Sequence, residues 1–259
     1  MQDLRVALIQ EDLVWQDPAA NRRLFSTYLK HLAAVDLVVL PEMFTTGFTM
    51  AATDHAETMD GETVDWMRKQ AQRYGFALAG SLIIEEKGRY FNRFVLVGAD
   101  GLVTCYDKRH LFRMAGEHDS FSPGQARVIV EVVGWRVALQ VCYDLRFPVF
   151  SRNRQDYDVL LYVANWPAAR RGAWNALLPA RAIENLCYCV GVNRVGSDGA
   201  GVVYSGDSVI LDYLGEVLAS ADEHAGLLRA QLSAGRLAVF RGKFPAHLDG
   251  DSFQIKDLD

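Results

Sequence analysis

The chain has 259 residues, half of them hydrophobic and 23% charged, the balance of an ordinary globular protein near the upper size for one hydrophobic core. A formal net charge of -5 and the lack of any basic run argue against a nucleic-acid partner. Cys105, Cys142, Cys187 and Cys189 fit neither a disulfide framework nor a Cys-x-x-Cys zinc site, the opening lacks the regions of a signal peptide, and no apolar run is long enough to span a bilayer, so free thiols in a reducing cytoplasm are expected.

Val6-Ala7-Leu8-Ile9-Gln10 reads as a short apolar strand. Residues 18–34 have helical periodicity, with Leu24, Tyr28, Leu29 and Leu32 on one face. Asp36-Leu37-Val38-Val39-Leu40 is a continuous apolar strand, the pattern of one buried on both faces. It ends in Pro41-Glu42, which puts a carboxylate at the strand's C-terminal end, the rim where open α/β sheets bind ligands. A helix is expected from Gly61 to Tyr74, stopped by Gly75. Residues 77–84 and 90–98 read as strands joined at Lys87-Gly88, and Asp100-Gly101 signals a hairpin returning through residues 102–106. Lys108 follows directly, then a polar loop holding Glu117.

Residues 128–133 and 135–141 form another tight strand pair, and Cys142 ends it. A helix is expected to begin there and reach Asn153, with Pro148 in its first turn. Helix-start N–H groups favour negative charge, a setting that suits a thiolate; the plainer reading of Cys142 is a buried, inert thiol. Residues 158–164 are a strand ending in Asn165-Trp166-Pro167, and residues 173–185 are helical in pattern, with Pro179 expected to kink or interrupt them. Residues 187–195, 208–211 and 227–232 complete the strands, with a flexible turn at 196–201. With no linker and no repeat, one domain over 1–259 is expected. Helices alternating with hairpins give an α/β fold class, two mixed sheets with helices outside: an α-β-β-α sandwich.

Three strand ends thus deliver Glu42, Lys108 and Cys142, with Glu117 in a loop between the last two. For acyl transfer, Cys142 attacks a carbonyl carbon, and Glu42 serves as base if burial lifts it toward neutrality. The Lys108 ammonium and the Tyr143 backbone N–H are candidate oxyanion donors. Glu117 either holds Lys108 or relays a proton to the leaving amine. Each has a plain alternative, for Glu42 a turn cap, for Lys108 a solvated charge and for Glu117 an exposed carboxylate. A Cys-His pair is the rival chemistry, but His110 and His118 end no strand and read as loop hydrogen-bonders.

These residues carry a resemblance to the nitrilase superfamily, the carbon–nitrogen hydrolases. The matching stretches are Leu40-Pro41-Glu42 with Phe44 and Gly47, Tyr106-Asp107-Lys108-Arg109-His110-Leu111-Phe112, Val141-Cys142-Tyr143-Asp144-Leu145-Arg146-Phe147-Pro148, and Arg181-Ala182-Ile183-Glu184-Asn185, in the family's order. The resemblance implies a Glu42-Lys108-Cys142 triad with Glu117 as an additional active-site glutamate, no metal or organic cofactor, at least a homodimer, and hydrolysis of a non-peptide C–N bond through a thioester. Phe44-Thr45-Thr46-Gly47-Phe48 and Asn165-Trp166-Pro167 resemble the omega-amidase branch, which removes ammonia from short 2-oxo dicarboxylic acid monoamides such as 2-oxoglutaramate and 2-oxosuccinamate.

A small anionic substrate needs a cation at the far end of its pocket. Arg170, Arg171 and Arg146 are the candidates for a carboxylate clamp, and Phe44, Phe48 and Trp166 for the walls; plain packing or ion pairing is the alternative for each. Arg181 and Glu184, three apart on one helix, read as a structural salt bridge. Other functions remain open: another nitrilase-type amidase, an N-carbamoyl amide hydrolase, or a non-catalytic binding protein that keeps the fold.

Overall fold

The structure, a computed structural model, describes residues 2–256. Period-two alternation sorts the first strands' side chains into two cores. In β1 (Leu4–Gln10), Leu4, Val6 and Leu8 face one way and Ala7 and Ile9 the other. β2 (Leu37–Val39), β3 (Ala77–Glu86) and β4 (Arg89–Val97) repeat the division: Leu37, Val39, Ala79, Phe94 and Leu96 join the first set, and Val38, Leu78, Val95 and Val97 the second. The second set packs against Phe25 and Leu29 of α1 (Pro18–Leu29) and Val64, Met67 and Ala71 of α3 (Glu62–Tyr74); the short α2 (Ala52–His55) precedes α3. The first set packs on the second sheet.

The first sheet runs β14-β1-β2-β3-β4-β5, with β5 at Val103–Asp107 and β14 at Gly226–Leu232. Its β1-β2 and β2-β3 pairs are parallel and the rest antiparallel. The second runs β13-β12-β9-β8-β7-β6, built from β6 (Ile129–Val132), β7 (Trp135–Val141), β8 (Val159–Ala164), β9 (Tyr188–Asn193), β12 (Val209–Leu211) and β13 (Val217–Ser220). Here β7, β8 and β9 are mutually parallel. A hairpin of β10 (Val195–Ser197) and β11 (Val203–Ser205) stands apart. Trp174, Leu178 and Ala182 of α6 (Arg171–Asn185) cover the second sheet. They come close because Gly191 lies beneath them: a Cβ there would sit 2.7 Å from Leu178 Cδ1. α4 (Glu117–Ser120), α5 (Pro148–Ser151) and α7 (Ala234–Lys243) complete the helices named here. The layers are helix, sheet, sheet, helix, the sandwich expected from sequence. No helix among the described residues is long and apolar enough to cross a membrane.

Several local expectations fail. The helix expected after Cys142 is a 3-10 turn, Cys142–Arg146, followed by the four-residue α5. Pro148 forces the break, because Phe147 before it is held out of the helical region (φ -119°, ψ 81°). Pro179, by contrast, lies inside α6 without ending it, and the Asn175 carbonyl it leaves unbonded belongs to an exposed residue. α1 stops at Leu29 instead of residue 34, and Gly75 ends α3 in the left-handed conformation as expected.

Candidate active site

Glu42 follows β2, Lys108 follows β5, Cys142 follows β7 and Asn165 follows β8, and hydrogen bonds join Lys108, Glu42 and Asn165 across the two sheets. The side chains of Glu42, Lys108 and Glu117 are fully buried. Lys108 Nζ donates to Glu42 Oε1 and to both Glu117 oxygens, each at 2.9 Å. Glu42 Oε2 accepts from the Asn165 backbone N–H at 2.8 Å, and Asn165 Nδ2 also reaches the Glu42 carbonyl at 2.6 Å. Glu117 Oε2 accepts from the Phe112 backbone N–H at 2.5 Å. Asn92 on β4 donates to both carboxylates, at 2.7 Å to Glu42 Oε1 and 3.1 Å to Glu117 Oε1.

This packing sets the protonation states. Burial alone would lower the Lys108 pKa, but the Glu117 and Glu42 carboxylates outweigh it and hold the ammonium charged. Burial raises the Glu117 pKa, and the Glu42 carboxylate adds to this against the pull of Lys108. Burial also pushes the Cys142 thiol well up, the Glu42 carboxylate pushes it further, and Lys108 only partly offsets them. Cys142 is therefore a thiol at rest beside the Glu42 carboxylate. The thiolate-favouring helix start expected from sequence is not what surrounds it.

Cys142 has a left-handed backbone, φ 44°, and Met43, directly after Glu42, has φ 43°. Such conformations cost non-glycine residues roughly 1–3 kcal/mol and persist only where neighbours fix them. Asp144 does this for Cys142. Its fully buried carboxylate accepts from Val141 N (2.9 Å) and the Tyr106 hydroxyl (2.8 Å) through Oδ2, and from His110 N (3.0 Å) through Oδ1. His110 Nδ1 lies 2.7 Å from the same Oδ1, and its ring stacks on Phe147 at 3.9 Å. Arg181 anchors the turn from behind, bonding the Leu145 carbonyl at 2.7 Å and Glu184 at 3.0 Å, the salt bridge anticipated from spacing. Nothing in the sequence pattern singled out Asn92, and Asn165 and Asp144 stood only as parts of motifs, with no role of their own.

A cavity of about 610 Å³ opens onto Cys142 and Lys108. Tyr143, Phe48, Trp166, Arg146 and Arg170 all line it, with Phe112, Tyr204 and Asn165. The Phe48 ring lies 5.3 Å from Lys108 Nζ. The Arg146 guanidinium rests 5.0 Å over the Trp166 ring, and the Arg170 guanidinium 5.0 Å over Phe112, with Met114 Sδ at 3.9 Å. Among the described residues neither arginine has a carboxylate partner. Two sequence candidates lie elsewhere. Arg171 bonds Asp207 at 2.7 Å and is absent from the cavity wall, because α6 starts at Arg171 and turns it outward. Phe44 is fully buried beneath Gly80, edge-on to Phe25 at 5.6 Å, and belongs to the helix-side core.

The carbon–nitrogen hydrolase family model matches residues 5–241. The chain is 51% identical to the omega-amidase YafV of Escherichia coli K12, over 98% of this chain and all of that protein. It is 31% identical to the 2-oxoglutaramate amidase of Bacillus subtilis, over 94% of this chain and 96% of that one. The crystal structure of XC1258 from Xanthomonas campestris, a CN-hydrolase superfamily protein with an arsenic adduct in its active site, superposes with a TM-score of 0.97 at 49% identity, covering 99% of this chain and 100% of that one.

Proposed function

The chain belongs to the carbon–nitrogen hydrolase family, and from that premise we propose that it is an omega-amidase, hydrolysing the terminal amide of short 2-oxo dicarboxylic acid monoamides such as 2-oxoglutaramate and 2-oxosuccinamate. The observation that carries the reading is one cavity holding both a Cys142 thiol under the influence of the Glu42 carboxylate and guanidinium groups without a carboxylate partner among the described residues. The thiol attacks; the cation selects an acid.

In this reading Arg146 clamps the substrate carboxylate, since it leaves the same turn as Cys142 and is braced on Trp166. Phe48 and Trp166 confine the short chain, and Arg170 attracts the anion from its bed on Phe112. Glu42 takes the Cys142 proton as Sγ bonds to the amide carbon. The carbonyl π electrons move onto oxygen, and the oxyanion is met by the Tyr143 N–H and by the Lys108 ammonium, which exchanges one of its two resting bonds to Glu117 for it. Collapse breaks the C–N bond, the proton held on Glu42 passes to the leaving nitrogen, and ammonia departs, leaving a thioester on Cys142. Water then attacks the thioester, giving its proton to Glu42. The second collapse releases the acid and returns the proton to sulfur. Glu117 holds Lys108 aimed throughout. The reading includes at least a homodimer, which the family resemblance supports, and a reducing cytoplasm, which the four free cysteines support.

Ammonia release from 2-oxoglutaramate, beside a simple nitrile, a neutral short amide and an N-carbamoyl amino acid, tests this. Strong turnover of the oxo-acid amide alone, abolished in Cys142→Ala, is expected. Preference for another of the four would discard the substrate assignment, and turnover surviving in Cys142→Ala would discard the mechanism.

A further inference from the structure

The charged centre holds two carboxyl groups and one ammonium, all with fully buried side chains, and with both carboxyls ionised it carries one excess negative charge. A buried charge of this kind persists only where hydrogen bonds hold it. All three Lys108 N–H groups are already used, one on Glu42 and two on Glu117. Backbone N–H groups take one oxygen of each carboxylate: Asn165 on Glu42 and Phe112 on Glu117. Among the described residues, the only other side chain that bonds both carboxylates is Asn92.

Its orientation is fixed. The carboxylates only accept, so the Asn92 Nδ2 faces them and its Oδ1 accepts from the Ser81 hydroxyl at 2.9 Å, while Ser81 Oγ itself accepts from the Met43 N–H at 2.8 Å. The Asn92 amide is thereby turned with both N–H bonds toward the carboxylates. The Asn92 backbone carbonyl accepts from Lys108 N at 3.0 Å, so one fully buried residue fixes Glu42, Glu117 and the start of the Lys108 segment. The titratable groups around the pair are Lys108 from the end of β5, Cys142 from the end of β7, and Tyr204 on β11, whose hydroxyl bonds Asp198. Of these only Lys108 is cationic.

We propose that Asn92 is a positioning residue whose neutral amide keeps Glu42 and Glu117 ionised together around a single lysine. Because it adds two donors and no charge, the excess negative charge stays in the centre. That charge is what Glu42 passes to sulfur when it accepts the thiol proton. Without the Asn92 donors, one carboxylate takes a proton at higher pH, and Glu42 is lost as a base over that range.

The amidase profile rests on the proposed function; alkylation of Cys142 by iodoacetamide, followed on the Cys142 peptide by mass spectrometry, needs only the Glu42 carboxylate as base beside the Cys142 thiol. In Asn92→Asp, the same shape with a further carboxyl in place of the donors, the acid limbs of both kcat/KM and alkylation should move up by about one pH unit or more, a tenfold loss on the limb regained as pH rises. Asn92→Leu should shift them the same way. Ser81→Ala, which frees the amide to turn, should give a smaller shift in the same direction and serves if the Asn92 variants do not fold. Uniformly slower rates with unmoved limbs would overturn the proposal. A shifted alkylation limb in a protein that releases no ammonia would keep the role of Asn92 and sink the amidase reading alone.

Discussion

Lys108 and Arg146 line the same cavity but stand in contrasting surroundings. Lys108 is sealed from water, with every N–H bonded to a carboxylate. Arg146 is exposed, braced only by the Trp166 ring, and meets no carboxylate among the described residues. The lysine's partners come from the protein; in the proposed function the arginine's partner is the substrate. A cation with all its bonds internal holds a centre in shape, whereas one left open selects a ligand.

The contrast predicts what each cation does when removed. Lys108→Met leaves two buried carboxylates without their cation, so it should destabilise the fold by about 3–5 kcal/mol. That corresponds to a thermal midpoint lower by roughly 10 °C, alongside lost activity. A midpoint within a degree of the parent would mean the carboxylates are not held as charges.

Arg146→Met should leave the midpoint unchanged and cut kcat/KM for 2-oxoglutaramate about 10–100-fold, the worth of a charged hydrogen bond, chiefly through KM. A neutral short amide should lose little; equal losses on both substrates would make Arg146 structural. A smaller effect separates the thiol from the rim. Because burial raises the Cys142 pKa in the folded state, its contribution to stability is present below the unfolded thiol value, about 8.5, and is lost as pH rises. Denaturant unfolding of wild type should weaken relative to Cys142→Ala by about 1 kcal/mol per pH unit above that point. Parallel pH curves would mean the thiol is not held neutral. Smallest of all, Arg170→Met should cost less than about 1 kcal/mol, under fivefold in kcat/KM, as for a charge at the cavity's edge. A loss matching that of Arg146→Met would move the clamp to Arg170.

The same contrast explains what the sequence disclosed. Glu42, Lys108 and Cys142 stood out because each follows an apolar strand, a pattern carried by neighbouring residues. The sandwich was legible for the same reason: β1 to β4 have the runs and turns of strands buried on both faces. Asn92 was hidden, an ordinary position in β4 that bonds Glu42 fifty positions away. Asn165 reaches Glu42 across 123 positions, and no local period records such a pairing. Arg170 and Arg171 are adjacent and chemically alike; only the start of α6 sends one to the cavity and the other to Asp207. Phe44 and Phe48 are separated in the same way, Phe44 into the core under Gly80 and Phe48 toward Lys108. α7 escaped notice because only Ala234 and Leu237 of its ten residues are buried, too few to set a helical stripe.

The central claim is that the amide is opened by Cys142 and passes through a thioester. Product partitioning in the presence of hydroxylamine tests it most directly. If water and hydroxylamine compete for one acyl-enzyme, hydroxamate should rise with hydroxylamine while the acid product falls by the same amount, and neither should form in Cys142→Ala. Undiminished acid with no hydroxamate, at unchanged ammonia release, would mean that water attacks the amide directly and that Cys142 never carries the acyl group.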